Sequence, residues 1–290
     1  MRYVGMAMGM VPLTRCRPRI VSSPKSWSRC ALSTSAASAA SAAAKEPVWI
    51  HPERLPDDVH VWENAVLSID KPQGWTSFDV CAKLRGAVAA LLGKRPKQVK
   101  VGHAGTLDPM ATGLLIVCVG RATKQVDHFV SMKKEYSGVL RLGEATASYD
   151  ADTEVIQRSE WKHLTDADLA QARDTLVGEV EQLPPMYSAV KVGGKRLYES
   201  ARAGKEVERK PRKVFIEQFD LEPFVGKQDV GFYVCCSKGT YVRSLAHQLG
   251  LAAGTHAHLV ALRREAIGGV HVNDAWRMTD LVPALSSRRT

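Results

Sequence analysis

The chain lacks several features that would assign it to a class of protein. Its 290 residues include only six cysteines, and no two of them form a C-x-x-C pair, which argues against a disulfide scaffold and against a structural zinc site. No apolar run approaches the roughly 18 residues that a membrane-spanning helix needs. A P-loop and a dinucleotide-binding fingerprint are also absent. The sequence therefore predicts a protein that has no metal, no cofactor and no membrane partner.

Acidic residues are missing from the first 45 positions. This segment holds seven basic residues and is rich in Ser and Ala, and the first acid is Glu46. Such a composition is typical of an organellar transit peptide, so we expect residues 1–45 to target the mitochondrion, with the chloroplast as the alternative. A disordered basic arm that adds affinity for RNA would have the same composition. Since the segment carries most of the net charge of +10, nucleic-acid binding by the remainder depends on local patches.

The order of helix and strand signals predicts the fold class. Prolines at positions 47, 52 and 56 predict a linker over residues 46–63, with structure beginning near Asn64. Apolar runs predict strands over residues 65–69, 114–119, 136–142, 214–221 and 230–236. N-cap signals and helical spacing predict helices that begin at Ser77, Thr165 and Arg243. The chain is therefore of the mixed α/β (α+β) class, with strands too closely spaced for a purely parallel sheet.

One glycine-rich segment stands out as a candidate for chemistry. Residues 102–113 read GHAGTLDPMATG and surround His103 and Asp108 with glycines, a proline and hydroxyl groups. This pattern predicts a tightly shaped loop before a buried strand, and such loops often carry catalytic groups. An Asp before a Pro also commonly caps a turn. These residues alone leave both interpretations of Asp108 open.

A second segment is strongly basic. Residues 191–213 hold nine basic and three acidic side chains, which predicts a patch that attracts a polyanion. A solvated hairpin and helix would show the same charges. The candidate phosphate contacts in this segment are Lys191, Lys195, Arg196, Arg209, Lys210 and Arg212.

Residues 102–113 resemble the catalytic motif of the TruB-type tRNA pseudouridine synthases, which isomerise the T-loop uridine at position 55 of tRNA. Further segments resemble motifs of that family in the same order: DKPQGWTS at 70–77, KEY at 134–136, PMYSAVK at 185–191, CSKGTYVR at 236–243 and HLVALRR at 258–264. The resemblance implies a catalytic domain over residues 64–272 with the pseudouridine synthase fold, a mixed and mostly antiparallel sheet with flanking helices and a central RNA-binding cleft. Residues 273–290 would then be a C-terminal tail, too short for a PUA-type domain.

The resemblance also implies roles for individual residues. Asp108 would be the essential catalytic group, and Arg243 would keep it ionised. Because the target base must leave the RNA loop before it can react, the remaining residues would receive the flipped nucleotide or hold the RNA. They are the catalytic tyrosines Tyr136 and Tyr241, and the RNA-binding residues His103, Lys71, Asp150 and Leu262.

The implied reaction is an isomerisation that needs neither metal nor cofactor, since nothing is oxidised and no group leaves the nucleotide. The expected partner is the tRNA T-arm, with other RNA stem-loops, including those of mRNA, as further candidates, and the expected state is a monomer. Two alternatives remain. An RNA chaperone could use the same fold without turnover, and a nucleoside hydrolase or glycosidase would need a second carboxylate or a metal.

Overall fold

A large mixed β-sheet organises residues 46–288, which are the residues that the computed structural model describes. Its strands and those of two small hairpins are β1 (Val48–Trp49), β2 (Asn64–Lys71), β3 (Val101–His103), β4 (Thr112–Gly120), β5 (Lys134–Leu142), β6 (Glu144–Thr146), β7 (Val155–Arg158), β8 (Gly178–Gln182), β9 (Lys191–Val192), β10 (Lys195–Arg196), β11 (Arg212–Leu221), β12 (Asp229–Cys236), β13 (Ala257–Ile267), β14 (Val270–His271) and β15 (Trp276–Arg277). The helices are α1 (Ser77–Leu91), α2 (Val126–Ser131), α3 (Asp166–Asp174), α4 (Leu197–Arg202), α5 (Val242–Ala252) and α6 (Met278–Ser286).

The strand order confirms the predicted mixed sheet. It runs β1-β2-β4-β13-β5-β12-β11-β8, with β3 on β4, β14 on β13 and β15 on β2, while β6–β7 and β9–β10 form separate hairpins. Neighbours in the large sheet are antiparallel except where β2 meets β1 and β15 and where β4 meets β13. In the part of the chain that the structure describes, no helix is both long enough and apolar enough to cross a bilayer.

The two halves of the sheet are covered differently, and the strand sequences reflect this. Helices α1 and α6 cover one face of the β2–β4 half, and α2 with its neighbouring turns covers the other, so β4 is apolar throughout its buried run. The β5–β12–β11 half is covered on one face by α3 and α5. Strand β11 accordingly alternates, with Val214 and Ile216 buried and Phe215 exposed.

The halves join where β4 begins beside β13. Arg263 and Arg264 of β13 pair in parallel with Thr112 and Gly113 of β4. Gly113 has a φ of +102°, and a Cβ there would lie 2.3 Å from the backbone oxygen of Arg264. Only glycine permits this close approach of the two strands. The approach places the residues that precede β4 over the face of β5 and β13.

The prediction that residues 46–63 form a linker is wrong. Ile50 and Trp62 are buried, and β1 adds to the edge of β2. The indole nitrogen of Trp276 also donates a hydrogen bond to the Ile50 carbonyl at 3.1 Å. The three prolines allow extended chain at a sheet edge, and the apolar residues between them supply the burial that fixes it.

The expected C-terminal tail over residues 273–290 is also wrong where the structure describes it. Trp276 and Arg277 pair with β2, and helix α6 packs against α1 with Leu281 and Leu285 buried. The folded unit therefore extends on both sides of the predicted 64–272. The targeting segment expected at residues 1–45 lies outside the described residues.

Candidate active site

Asp108 lies in the loop between β3 and β4, and buried groups hold the backbone on both sides of it. The Ser77 hydroxyl accepts a hydrogen bond from the Leu107 N–H at 2.8 Å and donates one to the Leu107 carbonyl at 3.2 Å. On the other side, the Gly74 N–H donates to the Pro109 carbonyl at 2.8 Å. The position of the carboxylate is therefore fixed by the chain segment that leads into α1.

The cap of α1 explains why Ser77 is available for this task. The sequence predicts Ser77 as the N-cap, but Thr76 occupies that position and forms a capping box with Asp79. The Thr76 hydroxyl accepts from the Asp79 N–H, and the Asp79 carboxylate accepts from the Thr76 N–H at 2.8 Å. Ser77 is consequently the first helical residue, and its hydroxyl points toward Leu107.

Lys71 has a structural role in the same region, which corrects its assignment to RNA binding. Its side chain is fully buried, and its ammonium donates hydrogen bonds to the carbonyls of Pro72, Trp75 and Pro109. Burial lowers the pKa of Lys71 to about 8, although the nearby Asp108 carboxylate opposes this effect. Since the ammonium neither reaches the surface nor lines the cleft beside Asp108, Lys71 holds the loop and is not presented to RNA in this structure.

Arg243, in the first turn of α5, binds Asp108 through both of its oxygens. Nε lies 2.9 Å from Oδ2, and Nη2 lies 3.1 Å from Oδ1. Only 5% of the Arg243 side chain is exposed, and its remaining donors reach the carbonyls of Ser148 at 3.0 Å and Tyr187 at 2.8 Å. The structure thus brings together the two residues that the sequence analysis paired, in a bidentate geometry that a lysine could not reproduce.

Asp150 lies on the far side of the same guanidinium. Its Oδ2 is 3.4 Å from Nη1 of Arg243, and its carboxylate accepts hydrogen bonds from the Ser148 hydroxyl and from the Asp152 N–H. The carboxylate is buried and does not line the cleft beside Asp108, so this structure does not present it to RNA as the sequence analysis expected. Asp150 acts through Arg243, by holding the guanidinium against Asp108.

The surroundings of Asp108 act in opposite directions on its ionisation. Burial raises the pKa of Asp108 above the ordinary 3.8, the Arg243 guanidinium lowers it, and the negative charge of Asp150 raises it again. The net direction is upward. One third of the side-chain surface, 33%, remains open to a cleft, so the carboxylate is both accessible and strongly held.

The cleft has a volume of about 260 Å³ and is lined by the four predicted catalytic residues together with Leu262. Tyr136 on β5 and Leu262 on β13 form an apolar wall, and both are more than nine-tenths buried. Tyr241, the N-cap residue of α5, is held by a hydrogen bond from its N–H to the Gln182 side chain at 2.7 Å. Among the lining residues, Asp108 is the only acid.

Two charged residues of the cleft were not singled out by the sequence analysis, namely Lys134 and Arg264. Both are buried. Lys134 lies two residues before Tyr136 on β5, and Arg264 lies two residues after Leu262 on β13. Since alternate residues of a strand share one face, the period of two could have placed both side chains on the same face as Tyr136 and Leu262.

His103, at the end of β3, does not line this cleft. Burial lowers the pKa of its imidazole, and its Nδ1 has no hydrogen-bond partner among residues 46–288. The imidazole is therefore neutral at neutral pH. Its role in filling the space that a flipped nucleotide leaves stays a prediction.

The basic segment begins at the rim of the cleft. Ser188 and Ala189 line the cleft, and the hairpin of β9 and β10 follows directly. Five of the six candidate phosphate contacts are exposed: Lys191, Lys195, Arg196, Lys210 and Arg212. Arg209 is less accessible to a phosphate than these five, because its side chain is only 11% exposed and donates a hydrogen bond to the Pro184 carbonyl at 3.1 Å.

This chain matches known proteins over most of its length. Residues 93–242 match the model of the TruB family pseudouridylate synthase N-terminal domain. The tRNA pseudouridine synthase B of Flavobacterium johnsoniae is 42% identical over 217 residues, which are 75% of this chain and 94% of that protein. The enzyme of the same name from Chlorobaculum tepidum is 44% identical over 225 residues, covering 77% and 92% of the two chains.

Solved structures also match this chain, at lower identity. A chain of a Cbf5-Nop10-Gar1 complex is 28% identical with a TM-score of 0.56, over 80% of this chain. A chain of an H/ACA RNP bound to a substrate RNA containing 2'-deoxyuridine is 26% identical, also with a TM-score of 0.56. The present chain spans 57% of the length of each of these two.

Proposed function

This chain belongs to the TruB family of pseudouridylate synthases, and we propose that it is a tRNA pseudouridine synthase that isomerises the T-loop uridine at position 55. The observation that carries the proposal is the Asp108–Arg243 pair at the floor of a cleft walled by Tyr136 and Leu262. The two relatives described above, which match over about three quarters of this chain, act on tRNA by name. An aspartate held in this way is the essential catalytic group of the proposed reaction.

The chemistry requires one accessible carboxylate beside the sugar and base. The bond from C1′ to N1 breaks and a bond from C1′ to C5 forms, while C5 loses a proton and N1 gains one, so the nucleotide keeps its composition. Asp108 is the lining carboxylate that can attack the nucleotide or accept a proton from it. Arg243 favours the ionised form that either step needs.

The cleft walls supply what a flipped base needs. A base that leaves the RNA stack loses its stacking partners, and an aromatic ring can replace them. The phenol ring of Tyr136 offers that surface, and Leu262 faces the same space. Burial raises the pKa of the Tyr136 phenol, which keeps the ring neutral at physiological pH.

The exposed lysines of the basic segment are proposed to hold the RNA stem. Lys195→Glu combined with Lys210→Glu should weaken T-arm binding by roughly tenfold, since charges near the phosphates dominate RNA affinity. The slope of log Kd against log salt should become shallower by roughly 0.9 for each phosphate that the variant no longer neutralises. Fluorescence anisotropy with a labelled T-arm stem-loop measures both quantities.

Lys227→Glu provides the matched control for this pair. Lys227 is exposed between β11 and β12, at the end of β11 opposite to Lys210, and the ten residues of that strand span roughly 30 Å. Its reversal should leave Kd within twofold of wild type. The charge-matched comparison is with Lys210→Glu alone, which changes the charge by the same amount. Equal weakening in these two single variants would show that net charge matters and that the segment does not.

Mapping of pseudouridine in vitro tests the proposed function directly. The purified full chain, incubated with an unmodified tRNA transcript, should convert uridine 55, detected by carbodiimide modification and primer extension. A transcript with cytidine at position 55 should show no new stop. Conversion at another uridine would support the synthase activity but contradict the proposed T-loop position. No conversion at any uridine would contradict the proposed activity itself.

A further inference from the structure

The cleft changes in chemical character along β5 and β13. Leu262 and the ring of Tyr136 form its apolar wall. Arg264 on β13 lies directly opposite Tyr136, and Lys134 on β5 lies two residues from Tyr136, about 6–7 Å along the strand; both line the same cleft. Both lysine and arginine are buried there, so this part of the cleft is cationic.

Backbone carbonyls hold the guanidinium of Arg264 in place. Its Nε donates to the Leu114 carbonyl at 2.6 Å, and its Nη2 donates to the Gly105 carbonyl at 3.1 Å. No carboxylate of the described residues lies within ion-pair distance of it. Arg243, by comparison, has two carboxylates, Asp108 and Asp150. Within residues 46–288, Arg264 is therefore a buried guanidinium without a negative partner.

Lys134 adds a second positive charge without supplying an anion. Its ammonium donates hydrogen bonds to the carbonyls of Phe129, Val130 and Met132, which occupy all three of its donors. Burial, followed by the repulsion from Arg264, lowers its pKa to about 8. At neutral pH the ammonium still contributes positive charge to this part of the cleft.

A buried and unpaired charge is costly in a protein, and a ligand that brings the opposite charge removes the cost. Uracil is neutral, whereas the phosphodiesters on either side of the target ribose are the negative groups nearest to it. The planar N–H edge of arginine matches a phosphate in geometry and in charge.

We propose that Arg264 binds one of the two phosphodiester groups that flank the flipped nucleotide, with Lys134 strengthening the local positive field. This inference rests on the proposed function, because it assumes an RNA substrate whose target base enters the cleft. It assigns separate tasks to the two side chains. Asp108 performs the reaction, and Arg264 fixes the sugar–phosphate backbone at the depth at which C1′ meets Asp108.

Single-site removal of phosphate charge tests the assignment. T-arm stem-loops are made with a methylphosphonate at either the 5′ or the 3′ phosphate of the target uridine, and Kd is measured with the full chain. Hydrogen bonds to charged groups lose roughly tenfold or more in affinity when one partner becomes neutral. We expect that loss at one of the two positions with the wild-type protein. In Arg264→Gln the same methylphosphonate should cost less than twofold, because the guanidinium that bound this phosphate is already gone.

Arg263→Gln is the matched control. Arg263 is the preceding residue on β13, points to the opposite face of the strand, and is paired with Asp70 at 2.8 Å and 3.1 Å. Its removal deletes one arginine charge from the same strand but not from the cleft. The methylphosphonate penalty in this variant should equal that of wild type.

The outcomes separate the inference from the function on which it rests. If neither methylphosphonate weakens wild-type binding, or if the penalty is as large in Arg264→Gln as in wild type, Arg264 does not hold a phosphate and the inference fails. If Arg264→Gln does not fold, as monitored by circular dichroism, Arg264→Lys replaces it. That variant keeps the charge but loses the planar N–H edge, so its methylphosphonate penalty should be smaller than that of wild type, and an equal penalty would overturn the inference. Absence of pseudouridine in the unmodified stem-loop would instead reject the proposed function.

Discussion

Asp108→Asn is expected to lower the rate of pseudouridine formation by about a thousandfold or more, while the Kd for a T-arm stem-loop stays within a few fold of wild type. The amide keeps the shape of the carboxylate, but it can neither attack the nucleotide nor accept a proton, and loss of such a group costs about 10²–10⁴ in rate. Single-turnover kinetics with saturating enzyme measures the chemical step separately from binding.

The same substitution should not destabilise the protein. The pKa of Asp108 is raised in the folded state, so the folded chain binds this proton more tightly than the unfolded chain does. The contribution to stability is present below the unfolded pKa and is lost as the pH rises through the folded pKa. At neutral pH the ionised group therefore opposes folding, and the Tm of Asp108→Asn should equal or exceed that of wild type.

Asp152→Asn is a matched control for this prediction. Asp152 is an exposed acid two residues beyond Asp150 and does not line the cleft. Its activity should stay within a few fold of wild type. Retention of more than a tenth of wild-type activity by Asp108→Asn would contradict the catalytic assignment.

Arg243→Gln is expected to abolish turnover and also to lower the free energy of unfolding by about 3–5 kcal/mol, the usual loss when one partner is removed from a buried ion pair. The substitution leaves Asp108 and Asp150 without the cation that lies between them. It also removes the donors to the Ser148 and Tyr187 carbonyls. Urea unfolding, followed by circular dichroism, measures the change.

The double variant Asp108→Asn/Arg243→Gln distinguishes an electrostatic cause from poorer packing. If the unpaired carboxylates cause the instability, removing one of them should restore part of the free energy of unfolding. If packing alone is responsible, the double variant should be as unstable as Arg243→Gln. An Arg243→Gln protein with the wild-type urea midpoint would show that this buried pair does not stabilise the fold.

Local patterns in the sequence predicted most of the elements around the site. The apolar run at residues 114–119 became β4, and the capping box from Thr165 to Asp168 begins α3. These signals depend on neighbouring residues alone, so they can be interpreted without the fold. The N-cap of α1 is Thr76, whereas the sequence predicted Ser77. Local signals therefore place the end of an element to within about one residue.

The meeting of Asp108 and Arg243 was predicted only through the family motifs, because 135 residues separate them and neither pattern nor composition specifies that contact. Lys134 and Arg264 lie inside two of those motifs, and the sequence still did not predict them as cleft residues. Their alternation with Tyr136 and Leu262 indicates which face they share, but not that this face borders a cleft.

The sequence by itself determined most of the helices and strands around the site, the family motifs and the loop that presents Asp108. Only the tertiary structure decided which charged side chains remain at the surface. Lys71, Asp150 and Arg209 all resemble RNA contacts in the sequence, yet each is held by groups from other parts of the chain. Whether a charge meets solvent or a buried partner depends on segments far away along the chain, and that information has no local signature.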